Sequence, residues 1–399
     1  MATVVLAYSG GLDTSIMIPW LIETYNLEVI ALCVDIGQGD IELSGLREKA
    51  LKSGARECII DDAKAVFVTE YLYPLIKSGA VYESDYLLGT SIARPLIAKR
   101  MVDIARAYNA DAVAHGATGK GNDQVRFEVA FMALAPDLKI IAPWKDTKWD
   151  LTSREACLAY AAERDIPVSQ STGRLYSEDA NLWHISHEGG VLESAESSVP
   201  DDVYTHSQVL SQTPDAPSML TLRFEAGVPV QANDHTDPLG ILTYLNKLGG
   251  EHGIGQVDMI ENRVVGMKSR GVYETPGGTL IYTAHRALEQ LVLDRSVMLT
   301  QQKLALEYAS LIYDGRWFSP LRVALDAFFQ ATQEKVSGSI TLSLYKGHAR
   351  VHSRQSDYSL YNQELASFTD SELYNQADAT GFIKLYGLSD KLTGIRDRG

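Results

Sequence analysis

An apolar run led by two valines, Val4-Val5-Leu6-Ala7-Tyr8, passes directly into Ser9-Gly10-Gly11-Leu12-Asp13-Thr14-Ser15, and an apolar stretch (Ile16, Ile18, Trp20, Leu21) follows at once. This order specifies a buried strand, a tight loop and a helix start in quick succession. Adjacent glycines let the backbone fold back and expose N–H groups without a Cβ clash. Ser9, Thr14 and Ser15 add hydroxyls where the helix begins, and the helix start contributes unpaired N–H groups and partial positive charge. The combination suits a phosphate cradle. The plainer alternative is a strand-to-helix turn that uses glycine only for its geometry. Spacing excludes the Walker loop, Gly-x-x-x-x-Gly-Lys-Ser/Thr, and the dinucleotide fingerprint, Gly-x-Gly-x-x-Gly.

The same strand–helix grammar continues. Glu28 to Asp35 reads as a second strand, followed by a turn at Gly37-Gln38-Gly39-Asp40 and a helix from Leu46 to Lys52 that ends at Gly54. Cys58 to Ile60 is a third strand, with helices predicted around Ala65 to Ile76 and from a Ser91 N-cap towards Tyr108. Ala112 to Gly116 and Lys139 to Pro143 are further strands, and Thr152-x-x-Glu155 reads as a capping box. The alternation implies an α/β, Rossmann-like parallel sheet with helices on both faces, which binds ligands beyond the carboxyl ends of its strands. The texture changes near residue 170, at the linker-like Ser169 to Gly173. Beyond it, Asp201 to Ser218 is expected to be an extended surface excursion. Strands are predicted at Leu220 to Phe224, Val257 to Val265 and Leu280 to Tyr282. A long helix from Arg286 to Tyr313 should break near Thr300, another should run from Leu321 to Thr332, and a hairpin should turn at Lys346-Gly347. A chain of 399 residues exceeds one ordinary core. The expected division is a nucleotide-binding domain (1–170), an α+β substrate domain (171–365) and a C-terminal helical segment (366–399).

Composition narrows the partners. Thirty-six Lys and Arg against 51 Asp and Glu give a formal net charge of −15, and no basic run offers a footprint for nucleic acid or an anionic membrane. Cys33, Cys58 and Cys157 cannot form a complete disulfide framework and read as small core residues. The N-terminus lacks a basic region and reaches its glycine turn too early for a signal peptide, and no uncharged apolar run approaches spanning length. A cytoplasmic protein is expected.

A second chemical cluster is His115-Gly116-Ala117-Thr118-Gly119-Lys120-Gly121-Asn122-Asp123-Gln124-Val125-Arg126-Phe127. Glycines permit close approach of backbone to ligand, Arg126 suits a carboxylate, and Asp123 an ammonium. The alternative is a capped glycine loop with a surface ion pair. Polar groups also gather at Tyr86 to Pro95, at Tyr176 to Asp179, at Asn181 to Gly190, at Glu261-Asn262-Arg263 and at Lys268 to Gly278. His184 and His187 lack further ligands at zinc-like spacing, so no metal site is expected. Neither a nucleophile-elbow serine nor a cysteine with an obvious base occurs. Rate should come from positioning and electrostatics, with no side-chain nucleophile.

The Ser9–Ser15 run resembles the pyrophosphate loop of the N-type ATP pyrophosphatases. Taken with Asp35-Ile36-Gly37-Gln38-Gly39, Leu87 to Pro95, His115 to Phe127, Asp179-Ala180-Asn181-Leu182 and Gly266 to Gly278, the chain is similar to the argininosuccinate synthase family. The resemblance implies that L-citrulline, L-aspartate and ATP give argininosuccinate, AMP and pyrophosphate through a citrullyl-adenylate, a step of arginine biosynthesis. It also implies that Ala7, Tyr8, Ser9, Gly10, Gly11, Leu12, Asp13, Thr14, Ser15, Gln38 and Gly116 hold ATP, accompanied by Mg²⁺. Thr118, Asn122 and Asp123 would hold aspartate. Tyr86, Ser91, Asn122, Arg126, Ser177, Ser186, Glu261 and Tyr273 would hold citrulline. A homotetramer built through the C-terminal helix is implied as well.

Overall fold

The computed structural model describes residues 2–39, 43–167, 176–367 and 373–399. The predicted Ser169–Gly173 linker and the end of the Gly37–Asp40 turn lie outside them. Five parallel strands build the first sheet: β1 (Ala2–Ala7), β2 (Leu27–Asp35), β3 (Glu57–Asp62), β4 (Ala112–Ala114) and β5 (Lys139–Ile141), in the order β3-β2-β1-β4-β5. β1 is central, pairing Val5 with Ile30 on one side and Leu6 with Ala114 on the other. Its continuous apolar run reflects burial on both faces. The order reverses between β1 and β4, so the loops leaving these two strands border one crevice, the usual ligand position in open α/β sheets.

Eight further strands follow: β6 (Ser177–Ala180), β7 (Ile185–Glu188), β8 (Ser218–Glu225), β9 (Val228–Ala232), β10 (Gln256–Asn262), β11 (Lys268–Glu274), β12 (Gly338–Tyr345) and β13 (His348–Gln355). They sort into two antiparallel sheets, β10-β11-β7-β6 and β13-β12-β8-β9. Their core is continuous with one face of the parallel sheet: Val5, Ile30 and Val113 belong to the same apolar cluster as Trp183, Leu220, Leu280 and Tyr308. Helix Gly89–Ala107 lies within that cluster, burying Ile92, Leu96 and Met101. The opposite face of the parallel sheet packs a separate cluster that contains Cys33, Cys58 and Cys157, all buried and none in a disulfide.

Several local expectations need correction. The 65–76 helix is present as predicted, running without interruption from 64 to 78, but its middle turn, Phe67–Leu72, is π-helical between the α-helical Lys64–Val66 and Tyr73–Ser78. Leu280 to Tyr282 is not a strand but the buried side of helix Pro276–Val292, in which Leu280, Ile281, Ala284, Ala287 and Leu288 make a helical stripe. Three apolar residues cannot distinguish the two periods. The break expected near Thr300 comes at Leu293-Asp294, where Asp294 accepts from the N–H groups of Ser296 and Val297 and starts helix Arg295–Tyr313. Ser153, not Thr152, caps helix Arg154–Glu163. The Lys346-Gly347 hairpin is as predicted, both residues at positive φ. The C-terminal segment forms helices Asp378–Tyr386 and Leu388–Arg396, which leave Phe382, Ile383, Leu385 and Leu392 exposed.

Candidate active site

Gly10 sits at φ +75°, a left-handed conformation that a side chain would strain, and a Cβ there would collide with Leu46 Cδ1. Gly11 precedes helix Leu12–Tyr25 and makes no side-chain cap, so the first-turn N–H groups stay available. The hydroxyls brace the loop. Ser15 donates to the Gly11 carbonyl at 2.7 Å and lies 3.2 Å from the Tyr8 phenol, while Ser9 and Thr14 hydroxyls meet at 3.2 Å. Ala7 ends β1, and Asp13 lies in the first helical turn. Gly116 abuts the same helix: a Cβ there would lie 3.3 Å from Thr14 Cγ2. The Gln38 side chain is turned inward, accepting from Ile36 N at 2.9 Å and donating to the Val34 carbonyl. It therefore braces its own turn.

From Gly116 a cleft of about 320 Å³ extends between the parallel sheet and the β10-β11-β7-β6 sheet. Tyr86, Thr118, Asn122, Asp123, Arg126, Ser177, Ser186, Glu261 and Tyr273 all line it. Ser91 does not. It is no N-cap either, because helix Gly89–Ala107 starts after Leu88, at φ +63°. The Ser91 hydroxyl is buried beside the Tyr86 phenol, with no partner in hydrogen-bonding geometry.

Two polar networks shape the cleft. In the first, Asp123 opens helix Asp123–Leu134 and binds two guanidiniums: Arg126 Nη1 at 2.9 Å and Arg94 Nε at 2.9 Å. Arg94 also donates from Nη2 to Asp179 at 2.7 Å, and Arg126 Nε donates to the Tyr313 carbonyl at 2.9 Å. Burial pushes the Asp123 carboxyl up, and Arg94 and then Arg126 overcome it, leaving it at about 2. In the second network, the Tyr273 and Tyr313 phenols donate to opposite oxygens of Glu261 at 2.5 and 2.6 Å. Burial and Glu261 push both phenols well up, so they remain donors. Asn122 joins the networks, donating to the Tyr313 hydroxyl at 2.9 Å and accepting from Val264 N at 2.9 Å.

Asp123 therefore titrates below its ordinary value of 3.8. Because the unfolded chain binds this proton more tightly, the stabilisation is fully present above about pH 4 and is lost as the pH falls through about 2. It is expected to amount to about 2 kcal/mol. Acid unfolding followed by circular dichroism should show a steeper loss between these limits for the native chain than for Asp123→Asn. Equal slopes would refute the contribution.

Sequence reasoning left Arg94, Glu188, Arg263 and Tyr313 without roles. Arg94 and Arg263 stood in quoted motifs, and both are cleft-lining ion-pair partners; Arg263 reaches Glu188 at 2.7 Å. Tyr313 gave no signal, since only the end of helix Arg295–Tyr313 brings it in. His184 and His187 belong to separate environments. His184 Nε2 lies 2.9 Å from Thr90 Oγ1, and burial, with Arg94, lowers it to about 3. His187 joins a buried cluster on Glu274, which also accepts from Thr205 N, His206 N and Ser207 Oγ. That cluster ties down the segment expected to be a surface excursion: Val203, Ser207 and Thr213 are buried, and the backbone makes short 3₁₀ turns.

The family model described as Arginosuccinate synthase N-terminal HUP domain matches residues 3–167, and Arginosuccinate synthase C-terminal domain matches residues 176–393. Among curated relatives, the chain is similar to the argininosuccinate synthase of Pelotomaculum thermopropionicum, 55% identical over 100% of this chain and 99% of the relative. The enzyme of the same name from Desulfitobacterium hafniense (strain DSM 10664 / DCB-2) is 56% identical over 100% and 99%. That of Roseiflexus castenholzii is 53% identical over 98% and 97%. Matched by both domains of one family over residues 3–167 and 176–393, and aligned over its full length with a curated relative, the chain belongs to the argininosuccinate synthases.

Proposed function

We propose that this chain joins L-citrulline to L-aspartate at the expense of ATP, forming argininosuccinate, AMP and pyrophosphate. The observation that carries the reading is spatial. Nine of the ten side chains expected to hold the two amino acids line one cleft, and that cleft reaches Gly116 beside the Ser9–Ser15 loop. In this reading Ala7 to Ser15 and Gly116 hold ATP, which enters as its magnesium complex, while Gln38 shapes the neighbouring turn. Thr118, Asn122 and Asp123 bind aspartate. Arg126 receives the citrulline carboxylate, with Tyr86, Asn122, Ser177, Ser186, Glu261 and Tyr273 around the rest of the molecule and Ser91 supporting Tyr86 from behind.

The ureido oxygen of citrulline attacks the α-phosphorus, and the bridging oxygen departs with its electron pair on pyrophosphate. The amine of aspartate then attacks the ureido carbon, and AMP leaves. Both steps need reactants held in line and developing charge met by fixed donors. A cleft walled by ion-paired arginines and protonated phenols is suited to that. Arginine biosynthesis is the setting, and the cytoplasm is the proposed location: none of the three cysteines is in a disulfide, and no helix among the described residues is long and apolar enough to cross a membrane. The net charge of −15 argues against nucleic acid as a partner. Exposed Phe382, Ile383, Leu385 and Leu392 support assembly through the C-terminal helices into a homotetramer.

Pyrophosphate release from ATP tests the function. Citrulline and aspartate together are expected to sustain turnover, with release needing citrulline and not aspartate alone. Absence of release with both present would end the reading.

A further inference from the structure

Helix Leu46–Lys52 carries two lysines in opposite circumstances. Lys52 reaches solvent and pairs with Glu48, one turn earlier, at 2.9 Å. Lys49 is half-buried, has no carboxylate within ion-pair distance among the described residues, and donates its ammonium to the carbonyl oxygen of Gly10. The same helix touches that loop through Leu46, which fills the space beside Gly10. An ammonium partly withdrawn from water without a counter-charge is costly, and one carbonyl dipole offsets only part of the cost. Burial lowers the Lys49 pKa, with no charged neighbour among the described residues opposing it. The arrangement becomes favourable when an anion occupies the loop that Lys49 touches.

We infer that Lys49 is a phosphate-binding residue, which exchanges the Gly10 carbonyl for the β- and γ-phosphates of ATP and stays with the pyrophosphate as it leaves. The inference rests on the Ser9–Ser15 loop being the polyphosphate site. As the ureido oxygen bonds to the α-phosphorus, the electron pair of the broken α–β linkage goes to the pyrophosphate oxygen. Lys49 keeps its proton and offsets that new charge by hydrogen bonding. Other parts of the nucleotide lie outside its role.

Equilibrium binding of inorganic pyrophosphate and of AMP to the full chain tests this, using the native protein, Lys49→Met, Lys49→Gln and Ser9→Ala. Lys49→Met is expected to weaken pyrophosphate binding by about tenfold or more, the scale of a charge-assisted hydrogen bond, while leaving AMP unchanged. Lys49→Gln keeps a donor for the loop without the charge and should lose as much. In both variants pyrophosphate affinity should fall less steeply with ionic strength, a change that a merely structural brace would not produce. Native-like pyrophosphate binding by both Lys49 variants, or equal losses for pyrophosphate and AMP, would overturn the assignment. If Ser9→Ala weakens pyrophosphate binding but the Lys49 variants do not, only Lys49 is misassigned. If Ser9→Ala is also native-like, the loop reading falls with it.

Discussion

Replacing Arg126 by alanine is expected to lower kcat/KM for citrulline by about 30- to 150-fold, the equivalent of 2–3 kcal/mol for a lost charge-assisted pair. Arg126 is 4% exposed, and two of its nitrogens are committed to Asp123 and the Tyr313 carbonyl. Nη2 has no hydrogen-bond partner among the described residues and is the donor that the proposed reading assigns to the citrulline carboxylate. The guanidinium is thus held in one orientation before substrate arrives, which makes its planar fork worth more than a mobile charge. An ammonium cannot reproduce that fork, so Arg126→Lys should recover only part of the activity. Steady-state kinetics with ATP saturating separates the effect from nucleotide binding. Unchanged citrulline kinetics in a folded Arg126→Ala variant would remove Arg126 from the citrulline site.

Glu274→Ala should have the largest effect on stability, about 3–5 kcal/mol, because the removed carboxylate is wholly buried and its donors are left behind. Thr205 N at 2.9 Å, His206 N at 3.1 Å, Ser207 Oγ at 2.5 Å and His187 Nε2 at 2.8 Å would all lose their acceptor. Burial alone would push the carboxyl up, yet His187, Ser207 and these backbone donors draw it below its ordinary value, so it is held as the anion. Denaturant unfolding is the measurement, and hydrogen exchange localises the damage. Thr205 and His206 amides should lose protection first, since the cluster anchors the 3₁₀ turn at Asp201–Val203 to β11. His187 also approaches Glu178 of the cleft wall at 3.4 Å, so some catalytic loss should accompany the unfolding. A stability change below about 1 kcal/mol would show that the cluster is not an anchor.

Much of the first sheet was legible because its signals are local. Continuous apolar runs at Val4 to Ala7 and Glu28 to Asp35 require burial on both faces, and the intervening helices carry their own periodicity. The glycine loops were legible for the same reason: Gly10 and Gly37 adopt backbone angles that nearby residue types alone demand. Where the deciding contact is distant, the reading failed. Leu280 to Tyr282 became helix because the 276–292 stripe packs into the shared core, and Ser91 lost its capping role because Leu88 turns the chain first. The 201–217 segment looks like polar, proline-rich surface until Glu274, some 70 residues away, supplies an acceptor for its backbone.

The sequence by itself determined the chemical groups this protein carries: a glycine-rich strand-to-helix loop of a kind suited to phosphate, a second glycine-rich segment ending in Arg126, and enough ordered motifs to identify the family. Each depends on residue type and short spacing. Tertiary structure decided how those pieces meet. The reversal of strand order between β1 and β4 sets Gly116 against Thr14, and the antiparallel sheet closes over them with Glu261 and Tyr273. Only that closure commits Arg94 to both Asp123 and Asp179, and brings Tyr313 to Glu261 from 52 residues further along the chain. Ion pairs and hydrogen bonds of that kind span sequence distances over which no local pattern operates, so their partners are set by packing.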